Sequence, residues 1–200
     1  MQIATEDTLR LVRRVQTITV AWMSLEAALS LGSAWKAHSP ALVAFGGDSA
    51  IELLSAVVVL WGFRAHASED EEKQAARMAG GLLFVLAACV VLVSVMSLRG
   101  HMNPQPSYLG MAVLVTAALI MPWLAREKCR LSAVTGSAAL RADAAESTIC
   151  FYLSMIALLG LAARALFQIE WADPTAALAI TPFIVFEGRE AWRGRACGCC

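Results

Sequence analysis

Three potential metal ligands share one face of an apolar segment. Residues 140–158 contain neither Pro nor Gly, which favours a helix, and they carry Asp143, Glu146 and Cys150. Their spacing of i, i+3 and i+7 places these side chains on one stripe of that helix. Carboxylates and thiolates bind divalent metal ions, and carboxylates also exchange protons. The stripe therefore predicts ion chemistry within an apolar helix.

A second apolar segment repeats this pattern. Residues 41–63 carry Asp48 and Glu52 at i and i+4, again on one helical face. An acidic side chain at the centre of a bilayer costs roughly 2.5–3.5 kcal/mol, so Asp48, Glu52 and Glu146 would together cost about 8–10 kcal/mol without partners. We find no Lys or Arg at their expected depth. A bound cation or protons would therefore remove most of this cost.

The composition is typical of an integral membrane protein. Hydrophobic residues make up 58% of the chain and charged residues 16%, with a mean hydropathy of +0.63. Six apolar runs each approach the ~20 residues that span a bilayer. The net charge of zero gives no reason to expect a nucleic-acid partner. We interpret the first run as a retained helix rather than a signal peptide, and we expect no disulfide framework from the six Cys.

The apolar runs predict an all-α membrane protein with six transmembrane helices. The expected spans are residues 15–35, 40–64, 78–98, 108–125, 139–166 and 175–186. The charge-dense segment 65–77 is expected to form a solvated loop, and segment 126–138 is expected to form another loop. Pro122 is expected to end or kink the fourth span. Gly80 and Gly81 are expected to be close-packing positions. A polar segment, 1–14, precedes the six-helix domain, 15–192, and a Cys-rich tail, 193–200, follows it.

The distribution of positive charge predicts the orientation in the membrane. If both termini are cytoplasmic, all but three of the 16 Lys and Arg residues lie on the cytoplasmic side, as the positive-inside rule requires. The second and fifth spans then run in opposite directions. At 1.5 Å per residue, Asp48, Glu52, Glu146 and Cys150 would lie at similar depths near the midplane of the membrane.

Ordered motifs in these two segments resemble those of the cation diffusion facilitator, or cation efflux, family. Residues 48–52 match the family pattern D-S-x-x-[acid] of the second helix. Residues 136–143 match the pattern G-S-x-A-L-R-A-D, after which Glu146 stands where the family has His and Cys150 where it has Asp. Asp173, followed by Pro, resembles a recurrent start of the sixth helix. The resemblance implies six transmembrane helices with a divalent metal site shared between the second and the fifth.

The resemblance also implies a function. It implies a divalent metal efflux transporter of the cell membrane, in a bacterium the inner membrane, with protons as the counter-ion and a homodimer as the assembly. Zn²⁺ is the favoured substrate, and Cd²⁺, Co²⁺, Ni²⁺, Fe²⁺ and Mn²⁺ also fit carboxylate and thiolate ligands. We expect no prosthetic group and no C-terminal cytoplasmic domain. We also expect no enzymatic activity, because HExxH and GxSxG motifs are absent and no His lies within a span.

The candidate metal ligands are Asp48, Glu52, Glu146, Cys150, Asp143 and Glu26. Asp143 is next to Arg141, so a local ion pair or a role where the ion enters is as reasonable as metal binding. Cys150 is either a ligand or a small buried apolar residue. Glu26 could accept a proton, bind metal or serve in hydrogen-bonded packing.

Two broader alternatives stay open at this stage. The same fold could belong to a membrane metal-binding or regulatory protein that does not transport. In the tail, Cys197, Cys199 and Cys200 could bind a soft metal, carry acyl groups or have no function.

Overall fold

The structure is a computed structural model that describes residues 6–65, 69–136 and 138–193. These residues form six helices and no strand, which confirms the all-α prediction. The helices are α1 (Glu6–Ala37), α2 (Pro40–Ala65), α3 (Glu69–Leu98), α4 (Tyr108–Thr135), α5 (Ala138–Phe167) and α6 (Ala172–Arg193).

Several helices extend beyond the predicted spans. The segment 126–138 was expected to be a loop that begins soon after Pro122, but α4 continues through Pro122 to Thr135. Capping residues set the two ends of α4. At the start, the Ser107 hydroxyl accepts a hydrogen bond from the backbone N–H of Gly110, and at the end Gly136 takes the left-handed conformation with φ 68°. Part of the other expected loop, from Glu69 onward, belongs to α3. Predicting loops from the local density of charge therefore placed both the end of α4 and the start of α3 incorrectly.

The helices pack in two groups that meet at α2 and α5. One group is a closed ring in which α1 contacts α2, α2 contacts α5, α5 contacts α4 and α4 contacts α1. We call this group the four-helix ring. The other group is the pair α3 and α6, which packs against α2, while α6 also contacts α5. Side chains where the ring meets the pair are therefore close to three or more helices.

Close contact within the α3 and α6 pair depends on glycine. A Cβ atom at Gly80 would lie 2.7 Å from the carbonyl oxygen of Gly188 and 2.9 Å from the backbone nitrogen of Trp192. A Cβ atom at Gly81 would meet only the Trp192 ring, at 3.6 Å, which is an ordinary van der Waals distance. The prediction of close packing is therefore confirmed at Gly80 and wrong at Gly81.

Apolar side chains cover much of the outer surface of the bundle. Leu119 is 74% exposed, Leu159 66% and Val85 60%. Among the described residues, three segments are long and apolar enough to cross a membrane: Gly80–Leu98, Tyr108–Thr135 and Asp143–Phe167. Exposed leucine and valine on helices of this length have a favourable environment in lipid, so the chain is a multi-pass membrane protein.

Candidate metal centre

The interior of the four-helix ring contains a cluster of buried polar side chains. Its buried polar and thiol side chains are Gln16 and Glu26 of α1, Ser49 and Glu52 of α2, Lys128 of α4, and Asp143, Ser147 and Cys150 of α5. A polar group buried in an apolar environment is costly unless it has a hydrogen-bond partner. These side chains accordingly bond to one another across the ring.

Lys128 forms a buried ion pair with Asp143. Its Nζ lies 3.0 Å from Oδ1 of Asp143, and neither side chain is exposed. Gln16 donates a hydrogen bond of 2.8 Å from Nε2 to Oδ2 of the same carboxylate. The prediction that no Lys or Arg lies at the depth of the acids was therefore wrong, because the extension of α4 carries Lys128 into the ring. Of the alternatives for Asp143, an ion pair is present, but its partner is not the exposed Arg141.

A serine connects this ion pair to α2. Nζ of Lys128 donates a 2.7 Å hydrogen bond to Oγ of Ser147, and that hydroxyl is 3.0 Å from Oε1 of Glu52, to which it donates. Among the residues that the structure describes, none donates a hydrogen bond to the other oxygen of Glu52, Oε2. Glu52 is thus held through one oxygen, while its second oxygen is available to a ligand.

Glu26 belongs to a second polar contact, between α1, α2 and α5. Its Oε1 accepts a 2.7 Å hydrogen bond from Oγ of Ser49 and lies 3.6 Å from Sγ of Cys150. Glu26 and Cys150 are both fully buried. The structure therefore brings the additional acid of α1 to the same region as the predicted ligands of α2 and α5.

Four carboxylates line a small cavity where the ring meets α6. Its acidic residues are Asp48 and Glu52 of α2, Glu146 of α5 and Glu187 of α6, and its volume is about 10 Å³. The apolar side chains of Ile51, Leu83 and Ala191 complete the lining. Three of the six predicted ligands thus share one cavity, whereas Asp143 lies at its ion pair with Lys128 and Glu26 contacts Cys150.

Sequence reasoning missed Glu187. The sixth span was expected to end at residue 186, but α6 continues to Arg193. Continuing the apolar helix by two turns would have kept this acid within α6.

The cavity carboxylates are too far apart in this structure to form a coordination sphere around one ion. Among the described residues, no three His, Cys, Asp or Glu side chains are close enough to hold one metal ion together. Like charges repel, so carboxylates in one cavity favour separated rotamers unless a cation lies between them. Simultaneous binding by Asp48, Glu52 and Glu146 therefore requires rotation of these side chains.

Asp173 fastens the start of α2 to the start of α6. Its carboxylate accepts a hydrogen bond from Oγ of Ser39 and another, of 3.0 Å, from the backbone N–H of Ala41. Burial raises the pKa of Asp173, which lies before the predicted span of α6, although both hydrogen bonds lower it. Asp173 therefore has a structural role: it holds the starts of α2 and α6 together at one end of the bundle.

The tail cysteines lie outside the described residues, so their interpretation stays as the sequence left it. A search of curated proteins finds no match for the chain. The family profile described as the cation efflux transmembrane domain matches residues 17–193. That match extends over part or all of each of the six helices and includes both acidic motifs, and the family transports divalent metal cations across membranes. The chain therefore belongs to the cation efflux family.

Proposed function

We propose that the protein exports divalent metal ions, with Zn²⁺ as the preferred substrate, in exchange for protons. The observation that carries the proposal is the cavity where Asp48 and Glu52 of α2 meet Glu146 of α5. We assign these three carboxylates as the primary ligands of the transported ion. Glu187 of α6 lines the same cavity and is proposed as an additional oxygen ligand during loading.

The environment of Asp48 supports this assignment. Its side chain is only 4% exposed, and no residue that the structure describes donates a hydrogen bond to it or pairs with it. Its nearest charged neighbours include the acids Glu52 and Glu26. A buried carboxylate among other carboxylates is costly, and a bound dication or protons would offset that cost.

The contact between Cys150 and Glu26 supports a preference for Zn²⁺. Oxygen ligands favour hard cations such as Mg²⁺ and Mn²⁺, whereas a thiolate favours Zn²⁺ and Cd²⁺. Cys150 lies on α5 one turn beyond Glu146, at a position where the family has a ligand. We propose that Cys150 joins the ligand set when its proton passes to Glu26, whose Oε1 is 3.6 Å from the sulfur.

Exchange with protons follows from the ligand chemistry. A carboxylate or thiol must lose its proton to bind metal, so metal and protons compete for the same atoms. In the proposed cycle, the cytoplasm-facing protein loads metal, the helices rearrange, and protons from the other side displace the ion. The protonated site then returns to face the cytoplasm.

The proposed orientation has six membrane spans with both termini in the cytoplasm, in a bacterial inner membrane. The bias of Lys and Arg toward one side supports the orientation. The three apolar segments Gly80–Leu98, Tyr108–Thr135 and Asp143–Phe167 supply half of the spans. A homodimer is proposed from the family resemblance alone.

Metal flux into proteoliposomes tests the proposal. Asp48→Asn, Glu52→Gln and Glu146→Gln should each lower Zn²⁺ transport at least about tenfold, because loss of about 1.4 kcal/mol of binding already gives that factor. Glu170→Gln is the matched control, since Glu170 is exposed and distant in sequence from the cavity residues. A pH-sensitive dye inside the vesicles should report protons moving opposite to Zn²⁺.

Two results would contradict the proposal. Full Zn²⁺ transport by all three cavity variants would remove the assigned site. Stoichiometric Zn²⁺ binding by the unaltered protein, with neither metal flux nor proton movement, would instead identify a metal-binding protein that does not transport.

A further inference from the structure

The buried ion pair between Lys128 and Asp143 lies beside the proposed site without being part of the cavity. Within the part of the chain that the structure describes, Ser147 links the pair to the cavity by hydrogen bonds, because it contacts Lys128 at 2.7 Å and Glu52 at 3.0 Å. A lysine that is fully buried in a membrane protein is costly, and such residues are usually functional. The proposed function gives the carboxylates of the cavity a role but leaves this cation unexplained.

We propose that Lys128 is a fixed internal cation that keeps Asp143 out of the ligand set and positions Glu52 for the transported metal. The inference rests on the proposed site at Asp48, Glu52 and Glu146. It makes Lys128 a positioning residue, because its ammonium acts through Ser147 and Asp143 rather than on the metal itself.

The direction of the hydrogen bonds supports the positioning of Glu52. An ammonium group can only donate, so Ser147 must accept from Lys128. The single hydroxyl proton of Ser147 then has two acceptors within reach, Oε1 of Glu52 at 3.0 Å and the backbone carbonyl oxygen of Asp143 at 3.2 Å. The carboxylate oxygen is the nearer and the more negative of the two, so the proton is directed toward Glu52. Ser147 thus holds Oε1 of Glu52. Oε2 of Glu52 lacks a hydrogen-bond donor among the described residues and is left for the metal.

The contacts of Asp143 support its exclusion from the ligand set. Lys128 lies at 3.0 Å from one of its oxygens, and Gln16 donates to the other at 2.8 Å. A metal ion would have to displace a buried ammonium to reach this carboxylate. By contrast, Asp48 has no such cation among the described residues, and it lines the cavity directly.

The charge of Lys128 also limits how tightly the site holds a dication. Its positive charge, two hydrogen bonds away from Glu52, repels a metal bound there and offsets the attraction of Asp143, whose carboxylate is 3.0 Å from the ammonium. Loss of either charge of the pair alone is worth about tenfold or more in affinity at the effective dielectric constant inside proteins. A transporter must release its ion as well as bind it. We therefore infer that Lys128 weakens binding in favour of release.

Calorimetric titration of the full chain in lipid nanodiscs with Zn²⁺ alone tests this inference. Lys128→Met should raise the Zn²⁺ affinity by about tenfold or more, because it removes the repulsion and frees Asp143. Asp143→Asn should lower the affinity by a similar factor, since the ammonium then turns toward Glu52. The double variant Lys128→Met with Asp143→Asn removes both charges and should return to within about threefold of the unaltered protein.

Lys128→Arg is the matched control, because it keeps the charge and should not show the gain in affinity. A double variant that binds as weakly as Asp143→Asn would identify Asp143 as a direct ligand and overturn the inference. Equal Zn²⁺ affinities for all variants would also overturn it, since a merely structural ion pair changes stability and not affinity. If either single variant fails to fold, the double variant decides: affinity within about threefold of the unaltered protein supports the inference, and a loss of about tenfold or more overturns it.

Failure of the proposed function has a different signature. If the unaltered protein binds no Zn²⁺ and Asp48→Asn changes nothing, the site itself is wrong. If the unaltered protein binds Zn²⁺ through Asp48 but the Lys128 and Asp143 variants behave alike, only the role of Lys128 is wrong.

Discussion

Adding one methyl group at Gly80 should separate α3 from α6. The Cβ atom of Gly80→Ala would lie 2.7 Å from the carbonyl oxygen of Gly188 and 2.9 Å from the backbone nitrogen of Trp192. Both are backbone atoms of a helix, so neither can rotate away. Since non-bonded heavy atoms pack best at about 3.5 Å or more, the helices must move apart by roughly half an ångström or more.

The size of the effect follows from a comparison with the neighbouring glycine. Overpacking of this kind costs about 1–3 kcal/mol, while replacing Gly by Ala within a helix gains about 1 kcal/mol. Gly81→Ala has the same gain in helix propensity but meets only the Trp192 ring at 3.6 Å. The propensity terms therefore cancel, and Gly80→Ala should be about 1–3 kcal/mol less stable than Gly81→Ala.

Thermal unfolding of both variants in the same detergent measures this difference. At about 2–4 °C per kcal/mol for a chain of this size, the midpoint of Gly80→Ala should lie about 2–12 °C below that of Gly81→Ala. Zn²⁺ transport by Gly80→Ala should fall as well, because Leu83, Ala191 and Glu187 of the separated helices all line the cavity. Equal midpoints for the two variants would refute the close approach of α3 and α6.

Metal selectivity, the pH dependence of binding and the stability of the α2 start each depend on a specific group of side chains. Cys150→Ser should shift the ratio of Zn²⁺ to Mn²⁺ binding constants toward Mn²⁺ by about tenfold, because a hydroxyl is a harder ligand than a thiolate. An unchanged ratio would exclude Cys150 as a ligand. Zn²⁺ affinity measured by equilibrium binding should fall as the pH is lowered from about 7.5 to about 5.5, since protons compete for the ligands, and a constant affinity would contradict proton exchange. Ser39→Ala should lower the free energy of unfolding by about 1–3 kcal/mol, because the buried Asp173 loses a hydrogen-bond donor. Ser24→Ala is the control and should change this free energy little, since the exposed Ser24 donates its hydrogen bond within its own helix.

Helical periodicity made part of the candidate site predictable. Asp48 and Glu52 share a helix face because they are one turn apart, and Glu146 comes to the same cavity because α5 packs against α2. Intramembrane acids are also rare enough to attract attention from sequence alone. The presence of Glu26 in this region could be suspected for the same reason, but its contact with Cys150 could not.

The polar partners of these acids were not predictable from local sequence. Lys128 stands in a run of charged residues that reads as a solvated loop, and its burial depends on Asp143 and Ser147, which come from another helix. Glu187 likewise follows an apolar run and looks like the polar end of a span. For Lys128, the helix continues because partners from another helix satisfy the charged side chain, and that information is not local.

The cavity lies between two groups of helices, so a movement of one group relative to the other can change how the site binds an ion. Asp48, Glu52 and Glu146 belong to helices of the four-helix ring, whereas Glu187 belongs to the α3 and α6 pair. A displacement of the pair relative to the ring changes the distance from Glu187 to the other carboxylates, while Lys128 and Ser147 keep Glu52 fixed within the ring. The number of oxygen ligands around an ion thus depends on the relative position of two helix groups. The proposed exchange cycle requires such a dependence, because in that cycle an ion leaves the site when it loses a ligand and protons take its place.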